Sequence, residues 1–388
     1  MKGMFKLKIY LNSASTSKPD KEVLKDFMWC AENVWANPSD VSEDGIEAKD
    51  IIRTSQKQIA DSINAKPEEI IFTSGGSESN NWAIKGFLNK NKDYNTIIST
   101  KIEHESVYRT CQFMEACGCK VKYVKVDWCG LVRVGELEKL IIKNNITNPF
   151  VSIIFANNEI GTIQRIKQIS EVVHKYNGVL HVDAVQAYMH VNIDVVDLGI
   201  DLMSASFHKF GGFKNCGFLY IKKGIELTPL IHGGHQFDSK RAGTENVPMI
   251  YAMGNQVERL KDNISNEIEQ SLKLFAYFTD KICECDINVC LNGAISSRLY
   301  TNISLTIKGV NATRLISLLE LKDIYVSSGS ACNAGDITPS RVLKAIGLSN
   351  EEALSTIRIS FNNEITKEEI DYVVDSLVEC VKSLQIFG

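Results

Sequence analysis

Lys209 stands within Ser204-Ala205-Ser206-Phe207-His208-Lys209-Phe210-Gly211-Gly212, after a serine and a histidine and before a glycine pair. A lysine fixed in such a turn can act as a buried amine that forms a Schiff base, which needs a depressed pKa and a set position. Hydroxyl and imidazole neighbours suit an anionic group on a cofactor. The same residues also suit a solvated loop lysine, and alone they do not choose. Comparable groups recur along the chain. Ser74-Gly75-Gly76-Ser77 ends a β-type run and opens a helical one, an order that turns free backbone N–H groups and a hydroxyl toward an anion. It is neither a Walker loop nor Gly-x-Gly-x-x-Gly, so a phosphate is indicated rather than a nucleotide, with a plain capped helix start as the competing reading. His104 follows a strand end, where a loop histidine bonded to backbone is the alternative. Asn157 and Asn158 follow another apolar run. Asp183 ends a further one, with Gln186 three residues on; a carboxylate there can hold a heteroaromatic N–H cation, and an amide can bond a phenolate oxygen on the same ring. Phosphate donors, a carboxylate, an imidazole and a lysine on one edge are the set expected for pyridoxal phosphate.

The elements that must place these groups are strands. Runs at 69–73, 96–100, 151–156, 179–182, 201–205 and 217–221 are apolar enough for a largely parallel sheet covered on both faces. Asp20 can cap a helix carrying Val23, Leu24, Phe27 and Met28 on one face, and a longer helix runs through Ala48, Ile52 and Ile59. Beyond an amphipathic helix expected from about 248 to 283, a smaller unit has strands near 299–305, 324–327 and 357–361. Its helices are expected near 313–321, 340–346 and 367–384.

The chain of 388 residues is long enough for two cores, and 44% hydrophobic with 23% charged residues is a globular balance. A net charge of −4 gives no reason to expect direct nucleic-acid binding. No apolar run approaches the roughly 20 residues of a membrane span, and the N-terminus enters a short strand without a signal-peptide core, so a cytoplasmic protein is expected. Eleven cysteines leave at least one thiol outside any internal disulfide, and neither Cys117/Cys119 nor Cys283/Cys285 has a second pair at zinc spacing. No metal site is expected.

Several motifs in order carry a resemblance. They are Phe72-Thr73-Ser74-Gly75-Gly76-Ser77-Glu78-Ser79-Asn80-Asn81, Glu103-His104, Ala156-Asn157-Asn158-Glu159-Ile160-Gly161-Thr162, Asp183-Ala184-Val185-Gln186, Ser206-Phe207-His208-Lys209, and Arg241-Ala242-Gly243-Thr244-Glu245-Asn246-Val247. The chain resembles fold-type I pyridoxal-phosphate enzymes of the class V aminotransferase group, and within them the cysteine desulfurases of the NifS/IscS type. The resemblance spans almost the whole length. It implies a large α/β domain with a mostly parallel, seven-stranded-type sheet over 15–254. A smaller α+β domain would be built from 1–14 and 255–388. Ser327-Ser328-Gly329-Ser330-Ala331-Cys332 matches the family's nucleophile segment, and a sulfur-accepting thiolate suits an exposed, small-residue loop.

The resemblance also implies roles. Lys209 would carry pyridoxal 5'-phosphate and later act as base on the substrate α-carbon. Asp183 would pair with the ring nitrogen and Gln186 with the ring oxygen, while His104 would stack on the ring and shuttle protons. Gly76, Ser77, Ser206 and His208 would bind the phosphate, with Thr244 supplied by the second subunit of a homodimer. Asn157 and Arg358 would hold the carboxylate of L-cysteine. Cys332 would take the sulfur as a persulfide and leave alanine, passing sulfur to an acceptor protein for iron–sulfur clusters or for tRNA or DNA modification. The chain departs from the family pattern at 12–17, at Ser42 where a histidine is expected, at Phe213 and at Phe237. It ends without the longer tail of members that serve a cluster scaffold, which leaves a dedicated acceptor level with general cluster supply. A selenocysteine lyase, another class V aminotransferase and a non-catalytic assembly homologue are the other readings. A thiol nucleophile argues against plain transamination, and the presence of Lys209, Asp183, His104 and Cys332 argues against the last.

Overall fold

The computed structural model describes residues 8–328, 338–362 and 364–387. Its strands are β1 Ile9–Tyr10, β2 Ile70–Thr73, β3 Thr96–Thr100, β4 Lys120–Val124, β5 Phe150–Ile154, β6 Val179–Asp183, β7 Leu202–Ser206, β8 Gly217–Ile221, β9 Val289–Asn292, β10 Asn302–Ile307, β11 Ile324–Tyr325 and β12 Thr356–Ser360. The principal sheet has seven strands in the order β2-β8-β7-β6-β5-β3-β4. Every pairing in it is parallel except those of β8 with β2 and with β7. The strands β2, β3, β5, β6 and β7 therefore end at one edge, and the groups that follow them are brought together there.

β2, β3, β5, β6, β7 and β8 are buried at every position, which is why their runs are continuously apolar rather than alternating. β4 is one of the two edge strands and keeps Lys120 and Lys122 on its border, as edges that must not pair with another chain do. The helix Gly76–Lys90 covers one face through Trp82, Ile84 and Phe87. On the other face, helices Lys21–Asn33 and Glu43–Asp61 pack on Val247–Leu260, sealing Ile59, Ile63, Phe218 and Tyr188 in the core.

A second core surrounds the antiparallel sheet β12-β10-β9, where Ile303, Leu305, Ile357 and Ile359 meet Phe275 and Phe278 of Ile264–Cys283 and Val374 and Leu377 of Lys367–Phe387. β1 joins this unit by parallel pairing with β11.

Three expectations change. The helix expected over 248–283 is broken: Val247–Leu260 and Ile264–Cys283 are separated by a 3₁₀ turn at Lys261–Asn263, where the apolar periodicity lapses into Lys-Asp-Asn. The strand expected from 299 starts at Asn302, because Leu299 N–H bonds Gly161 O and Asn302 N–H bonds Leu299 O, closing a turn first. The strand expected over 324–327 stops after Tyr325, and Ser327 then makes an isolated antiparallel bridge to Arg358.

Candidate active site

The glycine turn after β2 needs its glycines. Gly75 sits at φ +136°, in a region closed to side chains without strain, and a Cβ on Gly76 would fall 2.5 Å from Val185 Cγ2. Ser206, the last residue of β7, lies across the same gap, its Oγ 3.4 Å from the Cβ position of Gly75. The result is a cradle of main chain and hydroxyls at the N-terminus of a fifteen-residue helix, fit for a phosphate. Glu78 fastens it. Its carboxylate accepts from Ser74 N at 2.7 Å and from Arg241 Nε at 3.0 Å. Burial alone would raise the Glu78 pKa; the Arg241 and Ser74 hydrogen bonds outweigh it and hold the carboxyl below its usual value. Arg241 thereby ties the exposed segment bearing Thr244 to the cradle. Ser77 is exposed at the helix start.

Lys209 follows β7 in a single 3₁₀ turn, and its Nζ donates to Ala14 O at 2.8 Å and Ser15 O at 2.7 Å. Loss of hydration, reinforced by the Arg358 charge and opposed by Asp183, lowers its pKa to about 8, so about a tenth is the free amine at neutral pH. Asp183, 2% exposed at the end of β6, accepts from Asn80 Nδ2 at 2.8 Å and Val185 N at 3.1 Å. Gln186 donates to Ala14 O at 2.8 Å. His208 contacts Thr16 Oγ1 at 3.2 Å, and desolvation with the charges of Lys209 and Lys214 lowers it to about 4, so it is a neutral imidazole.

His104 caps Glu105–Ala116, its Nδ1 accepting from Ser106 N at 3.2 Å. Desolvation keeps its pKa below the usual value, with Lys209 and Arg341 adding to the effect and Asp183 and Glu105 opposing it. Asn157 is fully buried and already used by the backbone: Nδ2 donates to Ile102 O at 2.8 Å, and Oδ1 accepts from Glu159 N and Ile160 N. It shapes the turn after β5 and retains one free N–H for a ligand. Arg358, 3% exposed on β12, donates to Asn158 O at 2.9 Å and to Asn12 Oδ1 and Ser15 Oγ at 2.7 Å each. Its buried Nε has no hydrogen-bond partner among the described residues. A guanidinium held by neutral acceptors has charge left to meet a carboxylate.

The altered residues sort into two kinds. Asn12 and Ser15 accept from Arg358, Ser15 O also accepts from Lys209 Nζ, and Ser17 Oγ donates to His208 O, so these three lie on the site. Ser42 merely caps Glu43–Asp61 through Gly45 N, while Phe213 packs on Phe27 and Phe237 on Phe72.

Cys332 lies outside the described residues. The chain approaches that stretch beside Arg358, where Ser327 and Arg358 exchange backbone hydrogen bonds, and emerges at Ser340 and Arg341. Ser340 Oγ bonds Glu159. Arg341 donates to the carbonyls of Lys101 and Glu103 and to Glu105 Oε1, and stacks 3.9 Å over the Tyr108 ring. Arg341 thus grips the turn that carries His104. The site also includes groups to which the sequence assigned no role: Asn80, Ser106, Glu159, Arg341 and the buried Glu103. Asn80 and Glu103 lay within quoted motifs; Arg341 carried no signal, because its partners are about 240 residues away. Among the described residues Asn80 Oδ1 and Glu103 Oε2 are buried without hydrogen-bond partners, each a cost of about 1–3 kcal/mol.

The aminotransferase class-V profile matches residues 9–373. The cysteine desulfurase IscS of Methanosarcina thermophila is 41% identical over 381 residues, 97% of this chain and 93% of that one. Among solved structures, a NifS-like protein superposes with a TM-score of 0.89 at 32% identity, covering 97% of this chain and 100% of the other. A structure described as SspA in complex with cysteine gives 0.81 at 35% identity, covering 92% and 99%. The strand-edge lysine, its carboxylate and its glycine cradle therefore stand in a chain that belongs to the class-V aminotransferase family and, within it, to the cysteine desulfurases of the IscS/NifS type.

Proposed function

We propose that this chain converts L-cysteine to L-alanine, moving the substrate sulfur onto Cys332 as a persulfide and then to an acceptor protein. The observation that carries the reading is Lys209: a largely desolvated amine with a pKa near 8, set at the strand edge with Asp183 and Gln186 in its surroundings and the glycine cradle beside it. These residues fit pyridoxal 5'-phosphate. Gly76, Ser77, Ser206 and His208 would hold its phosphate, Asp183 its ring nitrogen, Gln186 its ring oxygen, and the partner subunit of a homodimer would add Thr244. When bound, the cofactor supplies an electron sink for the charge that develops at the substrate α-carbon.

The protein's own work follows from the geometry. Arg358 and the spare N–H of Asn157 take the substrate carboxylate, displacing Arg358 from Asn12 and Ser15. Lys209 Nζ removes the α-proton, its pKa near 8 matching it to that task at neutral pH. Cys332 thiolate attacks the substrate sulfur: the new S–S bond forms as the C–S bond breaks, its electron pair stays with the carbon skeleton, and protonation completes alanine. Buried Cys111 is pushed by burial, first, and by Glu103 to about 12, which leaves it inert as a competing thiolate. We assign residues 15–254 to a large cofactor domain and 1–14 with 255–388 to a small one. A reducing compartment, the cytoplasm, suits the chemistry; among the described residues no helix is long and apolar enough to cross a membrane.

The test is mass analysis of the Cys332 peptide after brief exposure to L-cysteine without reductant. One added sulfur atom on that peptide, with alanine released and both lost in Cys332→Ala, is the expected result. Alanine formation that survives in Cys332→Ala contradicts the assignment of the nucleophile.

A further inference from the structure

Two contacts at His104 decide where its proton sits. Nδ1 lies 3.2 Å from Ser106 N, and a backbone N–H can only donate, so Nδ1 accepts. Ser106 Oγ lies 2.8 Å from the same nitrogen. Behind it, Asn80 Nδ2 lies 2.9 Å from Ser106 Oγ and 2.8 Å from Asp183 Oδ2. An amide nitrogen also only donates. The Ser106 oxygen therefore accepts from Asn80 and turns its own hydrogen to Nδ1. The amide orientation is forced, because the opposite flip would set the Asn80 carbonyl against the Asp183 carboxylate, acceptor on acceptor. The forced orientation leaves Asn80 Oδ1 buried without a hydrogen-bond partner among the described residues. Asn80 sits on Gly76–Lys90, Asp183 on β6, and Ser106 and His104 at the start of Glu105–Ala116, so three elements share one directional chain.

We propose that Asn80 and Ser106 are positioning residues that lock His104 in the neutral tautomer protonated on Nε2, so that it offers the cleft a hydrogen-bond donor and not a base. Two donors face Nδ1, and an imidazolium would have to place a third hydrogen against them. The charges around the ring divide: Asp183 on β6 and Glu105 on its own helix favour protonation, while Lys209 after β7 and Arg341 on Arg341–Ala345 oppose it. His208, after β7, also lies within electrostatic reach and is itself neutral near pH 7. The chain of donors thus tips a balanced field. Removal of the α-proton then falls to Lys209 rather than to His104. The tautomer follows from the protein's own hydrogen bonds; only the task given to Nε2–H rests on the desulfurase reading.

The experiment is two-bond ¹H–¹⁵N correlation on holoenzyme labelled at its histidines, with His104→Gln identifying the His104 signals among the seven histidines. Wild type is expected to show the neutral Nε2–H pattern through neutral pH. In Asn80→Ala the Ser106 N–H still holds the Nε2–H tautomer, while Ser106 Oγ is freed to turn and accept, so proton affinity rises about tenfold. Ser106 is only half-buried, and Ser106→Ala moves the same way, which keeps the test open if Asn80→Ala does not fold. An Nδ1–H or imidazolium pattern in wild type overturns the proposal, as does an unchanged proton affinity of His104 in the folded variants. Alanine formation assayed separately distinguishes this failure from that of the desulfurase reading: wild type without turnover but with the Nε2–H pattern loses the function and keeps the tautomer.

Discussion

The floor of the site and its cover are built by different means. The floor consists of the ends of β2, β3, β5, β6 and β7, where each functional group is fixed by a strand that pairs along most of its length. The cover consists of residues 12–17, Arg358 and Arg341, and it is held to the floor by individual polar contacts such as Lys209 Nζ to Ala14 O and Arg358 Nη1 to Asn158 O. A sheet edge sets positions to within the pleat and tolerates few changes. A set of separate hydrogen bonds can be rewritten one residue at a time. The departures from the family pattern that reach the site fall in the cover, at 12–17, whereas Asp183, Lys209 and the glycine turn match the family.

Breaking the cover at its strongest point should show the largest effect among the binding residues. Arg358→Ala removes a buried cation that meets the substrate carboxylate, and kcat/KM for L-cysteine is expected to fall about 10- to 150-fold, mostly through KM. Arg358→Lys should restore little of it, since a point charge cannot reproduce the two-pronged contact. A loss confined to kcat would place Arg358 in the floor's chemistry instead.

The floor carries its own electrostatic load. Burial, with Asp183 adding to it against the Thr100 hydrogen bond, raises Glu103 to about 8. Between the usual carboxylate range and about pH 8, the folded state keeps a proton that the unfolded chain has lost. Folding stability therefore falls as pH rises through that window. Glu103→Gln keeps the Thr100 contact and removes the titration, so its denaturation midpoint, followed from about pH 5 to about pH 9, should decline less than that of wild type. Parallel curves would show that Glu103 does not titrate in that window.

Ser42 sharpens the contrast from outside. It stands where the family has a histidine, yet its Oγ only caps a helix. Ser42→Ala should cost about 1 kcal/mol in urea denaturation and leave turnover unchanged.

The floor was legible in the sequence because its signals are local: an apolar run followed at once by Gly-Gly, by Asp, or by His-Lys reads as a strand end with chemistry on it. The smaller unit's helices and β12 were legible for the same reason. The cover was not. Asn12 and Ser15 meet Arg358 across more than 340 residues, and Arg341 meets Glu105 across 236. No spacing rule reaches so far. β9 also escaped, because Val289–Asn292 is short and exposes Cys290 between two partly buried apolar residues. Asn80 was visible as a motif residue but silent as to role, since its importance lies in which way its amide faces.

The measurement that bears most directly on the central claim is L-alanine formation from L-cysteine by Lys209→Ala beside wild type. Loss of the strand-edge amine should lower turnover by about 10²–10⁴-fold, with Arg358 and Asn157 in place and only the Lys209 contacts to the carbonyls of Ala14 and Ser15 removed from the cover. Turnover within tenfold of wild type would mean that the floor does not carry the chemistry, and that Lys209 is a structural link between β7 and residues 14 and 15.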